Sequence, residues 1–300
     1  MPEELKALEV AGIGEVLWDV FPDGEQFGGA PANFACHCRA LGARSYVISC
    51  IGDDARGERA VEFLQNHGVE TSALVVSTTY ETGTVVVTLD SAGQPSYEIK
   101  EGVAWDHLTY SEHLAAIAAG LDAVCFGTLG QRESTSRETI QRFLAATQSN
   151  CLRVYDVNLR QSFLTEDVIR TSLTIANVLK LNDEELQIIA PMHDLEGSDE
   201  TIIRSLLELY GFKLIALTRG SRGSLIVTPD AVSDVAGVDV TIADTVGAGD
   251  AFTAAMITGY LNNWSLERTN QFANRVAAFV CSKIGAVPEL PETVRSPHFS

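Results

Sequence analysis

With 300 residues, 46% of them hydrophobic and 20% charged, the chain is long enough to bury a substantial core, and its composition excludes a disordered protein. The net charge of −19 and a sequence pI near 4.6 exclude nucleic acid as its main partner, because backbone phosphates are held by clustered Lys and Arg and no such cluster occurs. A small phosphorylated ligand remains compatible with this charge wherever helix N-termini, backbone amides and Mg²⁺ supply local positive potential.

The start, Met1-Pro2-Glu3-Glu4, is acidic and lacks the basic, apolar and small-residue succession of a secretory signal. No apolar run reaches the length of a membrane span, so a cytoplasmic protein with no membrane partner is expected. Strands are predicted near 8–14, 45–51, 122–127, 152–157, 177–181 and 213–218, and helices near 30–41, 55–67, 134–147, 199–210 and 248–262. This alternation predicts an α/β fold, a mostly parallel sheet with helices on both faces, in a single domain over 1–300. Two segments break the alternation: 15–27 and 82–105 read as extended, with Ser91-Ala92-Gly93-Gln94-Pro95 as a hairpin turn, and together they predict a small β lid. Such an element closes over a substrate or is simply a peripheral hairpin. Six cysteines lie mostly in apolar runs without disulfide or zinc spacing and read as reduced core residues. The consecutive Cys36, His37 and Cys38 point in different directions on a helix, which argues against a metal site.

The stretch most informative for chemistry is Asp244-Thr245-Val246-Gly247-Ala248-Gly249-Asp250, which opens the predicted helix at 248. Gly247 and Gly249 let backbone N–H groups converge on an anion, where the helix dipole adds favourable potential. Asp250, in the first turn, then stands beside a bound phosphoryl group, able to accept the proton of an attacking hydroxyl; alternatively it only stabilises the helix start. A second turn, Gly28-Gly29-Ala30-Pro31-Ala32-Asn33, precedes the first helix with Pro31 suited to its first turn and Asn33 able to meet a polar ligand. Gly14-Glu15 and Asp19 follow the first strand, in the region that forms the ligand crevice of open α/β sheets, and acidic groups there suit sugar hydroxyls. Gly12-Ile13-Gly14 lacks the third glycine of a dinucleotide fingerprint, and GxxxxGK[ST], HExxH and GxSxG are all absent, which argues against an NAD-linked dehydrogenase, a P-loop NTPase and a zinc hydrolase.

Taken together, the turns at 28–33 and 244–250 resemble the two signatures of the ribokinase-like (PfkB) carbohydrate kinases. Asp156-Val157-Asn158-Leu159-Arg160, Lys180-Leu181-Asn182-Asp183-Glu184-Glu185 and Thr218-Arg219-Gly220-Ser221-Arg222-Gly223-Ser224 agree in order, so the resemblance spans nearly the whole chain. It implies a three-layer sandwich with a lid, Asp250 as catalytic base and the amides of Gly247, Ala248 and Gly249 as the hole for the transferred phosphate. It further implies ATP and Mg²⁺, with Asn182 and Glu185 as the NxxE motif, the Glu acting on Mg²⁺ through water. Thr218, Gly220 and Gly223 match the nucleotide loop, Asn274 the helix bordering adenine, and Asp244 and Val246 the place of a monovalent cation, usually K⁺. The Ala30-Pro31 turn is similar to that of fructokinases, which points to fructose phosphorylated at its primary C6 hydroxyl, with C1 as the alternative, while 2-keto-3-deoxygluconate kinases share several of these segments. The sugar is expected among Asp19, Gly28, Gly29, Asn33 and Arg160, the last serving as a carboxylate clamp, a hydroxyl donor or a structural ion pair. Tyr97, Lys100 and Trp105 are expected on the lid, either covering the sugar or packing against the lid of a second copy in a homodimer. A non-catalytic binder of this fold would have lost Asp250 or a glycine of the anion hole; both are present.

Overall fold

A computed structural model of the chain describes residues 8–89, 95–160, 163 and 165–296. Nine strands form the main sheet: β1 (Glu9–Ile13), β4 (Arg44–Gly52), β5 (Leu74–Ser77), β8 (Ala123–Gly127), β9 (Leu152–Asp156), β10 (Val178–Asn182), β11 (Leu214–Thr218), β12 (Ser224–Val227) and β13 (Val232–Val235). Their order is β13-β12-β11-β10-β9-β8-β1-β4-β5, parallel from β11 through β5, with β12 and β13 added antiparallel at one edge. The chain first builds outward from β1 to β4 and β5, then returns to lay β8 on the other side of β1. That reversal places a crevice at the carboxyl ends of β1 and β8.

Side-chain alternation along the strands splits the core in two. Ile13, Ile48, Phe126, Tyr155 and Leu181 point to one face, covered by α3 (Glu112–Ala118), α4 (Ser134–Ala145), α5 (Glu166–Ile175), α6 (Asp183–Ile189) and α7 (Asp199–Tyr210). Val10, Cys125, Val154, Val178 and Ala216 point to the other, covered by α1 (Ala30–Ala40), α8 (Ala248–Leu261) and α9 (Leu266–Cys281), with α10 (Glu292–Arg295) closing its end. Helix α8 has almost no polar side because it lies between α1, α9 and the sheet. This α/β architecture is the one the strand and helix alternation predicts.

The lid is a second sheet of order β3-β2-β6-β7, made of β2 (Leu17–Phe21), β3 (Gly24–Gly28), β6 (Gly83–Leu89) and β7 (Pro95–Ile99). β6 and β7 pair antiparallel, as a hairpin requires, while the predicted turn residues Ser91–Gln94 lie outside the described residues. Asp54, the N-cap of α2 (Ala55–Asn66), ties this sheet to the body: its carboxylate accepts from the Gly57 amide, the Thr82 amide and the Thr82 hydroxyl, each at 2.8 Å. Those donors outweigh the cost of burial and hold its carboxyl below the usual range. One expectation is corrected here. The extended stretch ends at Ile99, not 105, and Ala104–His107 is a 3₁₀ turn. Trp105 is therefore no lid aromatic over a sugar: it is 1% exposed, packed with Leu17, Val85 and Ile99 beneath the lid, with the Arg132 guanidinium 3.9 Å over its ring. Tyr97 is exposed on β7, and Lys100 pairs with Glu81 at the surface.

Candidate active site

Most stretches singled out in the sequence lie at the carboxyl end of a strand or at the helix start facing it, while Asp19 lies within lid strand β2 rather than in the loop after β1, and Asn274 lies on α9. Gly14-Glu15 follow β1, Asp156 to Arg160 end β9, Asn182 to Glu185 join β10 to α6, and Thr218 to Gly223 follow β11. Gly29 is the N-cap of α1 with Pro31 in its first turn, and Gly247 is the N-cap of α8. Because α1 packs against α8, the two turns meet: Asn33 Nδ2 donates to Asp250 Oδ2 at 2.9 Å across 217 residues of chain.

The two glycines at the start of α8 lie in different surroundings. Gly247 sits at φ 76, and a Cβ there would stand 2.3 Å from the Ala286 carbonyl oxygen. Gly249 has ordinary helical geometry, but a Cβ on it would stand 3.1 Å from Lys180 Nζ. No side chain caps this helix. The amides of Gly249 and Asp250 have no intrahelical acceptor in the first turn, so the helix end presents free donors and the positive end of its dipole. Just before it, Asp244 braces the loop: Oδ1 accepts from the Val246 amide at 3.0 Å and Oδ2 from the Gly285 amide at 3.1 Å.

Four carboxyl groups, those of Asp250, Asp156, Glu15 and Asp19, gather at this crevice. Burial, then the charge of Asp156, lifts the pKa of Asp250 from 3.8 to about 7, against the opposing pull of Asn33, Lys180 and Arg160. Burial also lifts Glu15 to about 7, with Asp250 adding to it, and Asp19 to about 6, where Arg160 works against the rise. Glu15 Oε2 and Asn33 Oδ1 are buried without a hydrogen-bond partner among the described residues, two acceptors left for donors from outside the chain. A small cavity is bounded by Pro31, Gly127, Asp156, Asn158 and Asp250, and Asn158 holds a left-handed backbone at φ 40. Gly28 lies against Asp19, since a Cβ there would meet its Oδ2 at 2.8 Å. Arg160 is exposed, acts electrostatically on Glu15, Asp19 and Asp250, and forms no ion pair among the described residues, which removes the structural-pair alternative.

The NxxE segment is a reciprocal cap. Asn182 Oδ1 accepts from the Glu185 amide and Glu185 Oε2 from the Asn182 amide, both at 2.8 Å, while Glu185 Oε1 accepts from the Leu159 amide at 3.0 Å. Glu185 is 4% exposed, not a solvated helix face, and burial raises its pKa. Thr218, Gly220 and Gly223 bound a tight turn in which the Arg219 amide donates to the Gly223 carbonyl and the Arg219 guanidinium pairs with Asp234. Asn274 lies on α9 and reaches Ser224, the residue that follows Gly223 and pairs with Thr218 at the carboxyl end of β11. Its Nδ2 is spent on Ser224 Oγ, Asn270 O and Asn270 Oδ1 in a buried polar cluster under β12. Ile242 and Ile284, which flank the backbone hydrogen bonds from Ala243 and Asp244 to Cys281, are exposed apolar residues that the sequence reading passed over. It also passed over Lys180, whose signal was a lysine in the middle of the apolar strand β10.

Residues 14–293 match the family model described as pfkB family carbohydrate kinase. The chain is 32% identical over 296 residues to an uncharacterized sugar kinase of Pyrococcus horikoshii, covering 92% of this chain and 91% of that protein. Against that protein's structure in complex with ATP the TM-score is 0.79, covering 93% and 94% of the two chains at 30% identity. A fructokinase of Salmonella typhimurium is 30% identical over 297 residues, covering 93% of this chain and 95% of its own. The structure of a Xylella fastidiosa fructokinase superposes with a TM-score of 0.85 over 94% and 95% of the chains at 22% identity, a likeness of fold. A match that runs through both glycine-rich turns, on a chain whose fold joins those turns at Asn33 and Asp250, has one reading: this protein belongs to the PfkB family of carbohydrate kinases.

Proposed function

We propose that the chain transfers the γ-phosphoryl group of ATP to a sugar hydroxyl, with fructose as acceptor and fructose 6-phosphate as product. The observation that carries this reading is the hydrogen bond between Asn33 and Asp250, which sets a sugar-suited turn and a phosphate-suited helix start on the same carboxylate. The sugar sits among Asp19, Gly28, Gly29, Asn33 and Arg160. Its hydroxyl oxygen attacks the γ-phosphorus, the bond to the β-phosphate oxygen breaks, ADP leaves, and the hydroxyl proton passes to Asp250. The amides of Gly247, Ala248 and Gly249 receive the charge of the phosphoryl group in transit. A carboxyl with a pKa of about 7 is matched to this task, because it is part-ionised at neutral pH and basic enough to hold the proton.

Asn182, Thr218, Gly220, Gly223 and Asn274 border the nucleotide, and the apolar Ile242 and Ile284 offer a surface for its base. Among the described residues no group of three or more His, Cys, Asp or Glu side chains is set to hold a metal ion. That fits an Mg²⁺ carried mainly by phosphates and water, with Glu185, whose oxygens each keep a lone pair beyond their amide partners, touching it through water. Bound there, Mg²⁺ neutralises phosphate charge. Asp244 and Val246 are proposed to border K⁺, and the lid to join two copies through its exposed edge strand β7, in one kinase domain working in the cytoplasm.

A second reading, 2-keto-3-deoxygluconate as acceptor, is favoured by Arg160, whose exposed guanidinium has no carboxylate partner among the described residues and suits a substrate carboxylate. ADP release with Mg·ATP, measured over fructose, 2-keto-3-deoxygluconate, ribose and tagatose in K⁺ and Na⁺ buffers, separates the two. Fructose is expected to lead, K⁺ to stimulate, and Asp250→Ala to lower kcat by about 10²–10⁴-fold. Preference for the keto-acid transfers the assignment to the second reading, and turnover equal in wild type and Asp250→Ala removes Asp250 as the base.

A further inference from the structure

Lys180 is 7% exposed on β10, between Leu179 and Leu181, which are fully buried. Its Nζ donates to Asp156 Oδ1 at 3.0 Å, and Asp156 is itself 4% exposed. The second oxygen of Asp156 lies 3.3 Å from Thr253 Oγ1, which is also 2.9 Å from the Gly249 carbonyl oxygen, so this network reaches the first turn of α8. Lys180 lies directly against position 249, where a Cβ would approach Nζ to 3.1 Å, a tight contact. An ammonium has three N–H groups, and among the described residues Asp156 is the sole hydrogen-bond partner of this one. A buried ion pair of this kind adds little to stability over an apolar pair of the same volume. Its presence in an apolar strand, directly under a helix start with free amides, therefore calls for a function.

We infer that Lys180 is a positioning residue for phosphoryl transfer: held by Asp156 beneath Gly249, its cation supports the amides of the α8 start in stabilising the group that passes from nucleotide to acceptor. Asp156 fixes where the charge sits, and Thr253 registers the pair against the helix. The inference rests on the kinase reading above.

Lys180→Met alone leaves Asp156 buried and unpaired and is expected to fold poorly, so the decisive protein is Lys180→Met with Asp156→Asn, which removes both charges at similar volume. Binding of Mg·ATP and Mg·ADP is measured by calorimetry on the full chain, and kcat and KM with the best acceptor. Wild type is expected to bind ATP more tightly than ADP, because only ATP reaches the α8 start with its terminal phosphate. In the double variant that preference falls about tenfold while ADP affinity stays within about threefold, and kcat drops about 10²-fold with the sugar KM nearly unchanged. A double variant that keeps wild-type kcat and ATP preference makes the pair purely structural and overturns the inference. So does an equal loss of ATP and ADP affinity, or a wild type that binds the two alike. Wild-type protein silent toward every acceptor overturns the kinase reading instead, and the ATP-to-ADP comparison then decides Lys180 without it.

Discussion

The carboxyl of Asp250 is placed where its charge is costly. Burial and the neighbouring Asp156 raise its pKa from 3.8 to about 7, so the folded protein holds this proton more tightly than the unfolded chain does. Its favourable contribution to stability is complete below about pH 3.8 and is lost as pH rises through about 7. Asp250→Asn, neutral at every pH, is therefore expected to be more stable than wild type at pH 8 by on the order of 1–3 kcal/mol, the gain shrinking toward pH 5. Thermal midpoints at the two pH values check this. The gain includes relief of Glu15, whose pKa Asp250 helps raise to about 7. The rate of the wild type should fall as pH drops below about 7, since the base must be ionised to take a proton. A flat profile from pH 5.5 to 8.5 would contradict Asp250 in that role. The identity of Asp250 was legible because two glycines precede it at a helix start. Its raised pKa was not, because Asp156 and Lys180 arrive from strands about 90 and 70 residues away.

At the scale of elements, the start of α8 is set by backbone demands that no other residue type meets. Gly247 has φ 76, and a Cβ would lie 2.3 Å from the Ala286 carbonyl oxygen, so Gly247→Ala faces both left-handed strain and a backbone clash. The expected loss is on the order of 2–4 kcal/mol, read as a lower urea midpoint, together with kcat reduced by at least about 10²-fold, because the first-turn amides turn away from the phosphate. An alanine protein with wild-type midpoint and rate would show that this turn tolerates a side chain. Helices and strands with clear periodicity, such as α7 and β4, were readable from their sequences. Helices α3, α5 and α10 were not anticipated, and α9 entered only through the resemblance that places Asn274 on a late helix. The lid hairpin was overextended to 105 because Trp105 reads as a strand aromatic. It is instead a core side chain, held under Gly83, where a Cβ would meet its Nε1 at 2.5 Å.

For the whole molecule, the order of strands decides where the chemistry sits. Only after β8 is laid beside β1 do Gly14, Gly127, Asp156 and Asn182 end at one crevice, and only the packing of α1 on α8 joins Asn33 to Asp250. The lid leaves β7 as an edge strand with Tyr97 half exposed, and a second copy is the partner proposed for it. Sedimentation velocity is expected to give a dimer that Tyr97→Glu converts to monomer, whereas a monomeric wild type would remove that partner. At a net charge of −19 the dimer should tighten with salt as repulsion is screened. The amino-acid sequence by itself determined the α/β class, the two glycine-rich turns and the carboxylate between them, because glycine placement, hydrophobic period and helix starts are local properties of the chain. Only the tertiary structure decided that Glu185 also takes the Leu159 amide, that Asn274 donates to Ser224, that Arg160 has no carboxylate partner among the described residues, and that Lys180 lies under Gly249. Those facts depend on which buried charges and amides meet after folding, and partners brought together across the sheet leave no spacing in the sequence from which to read them.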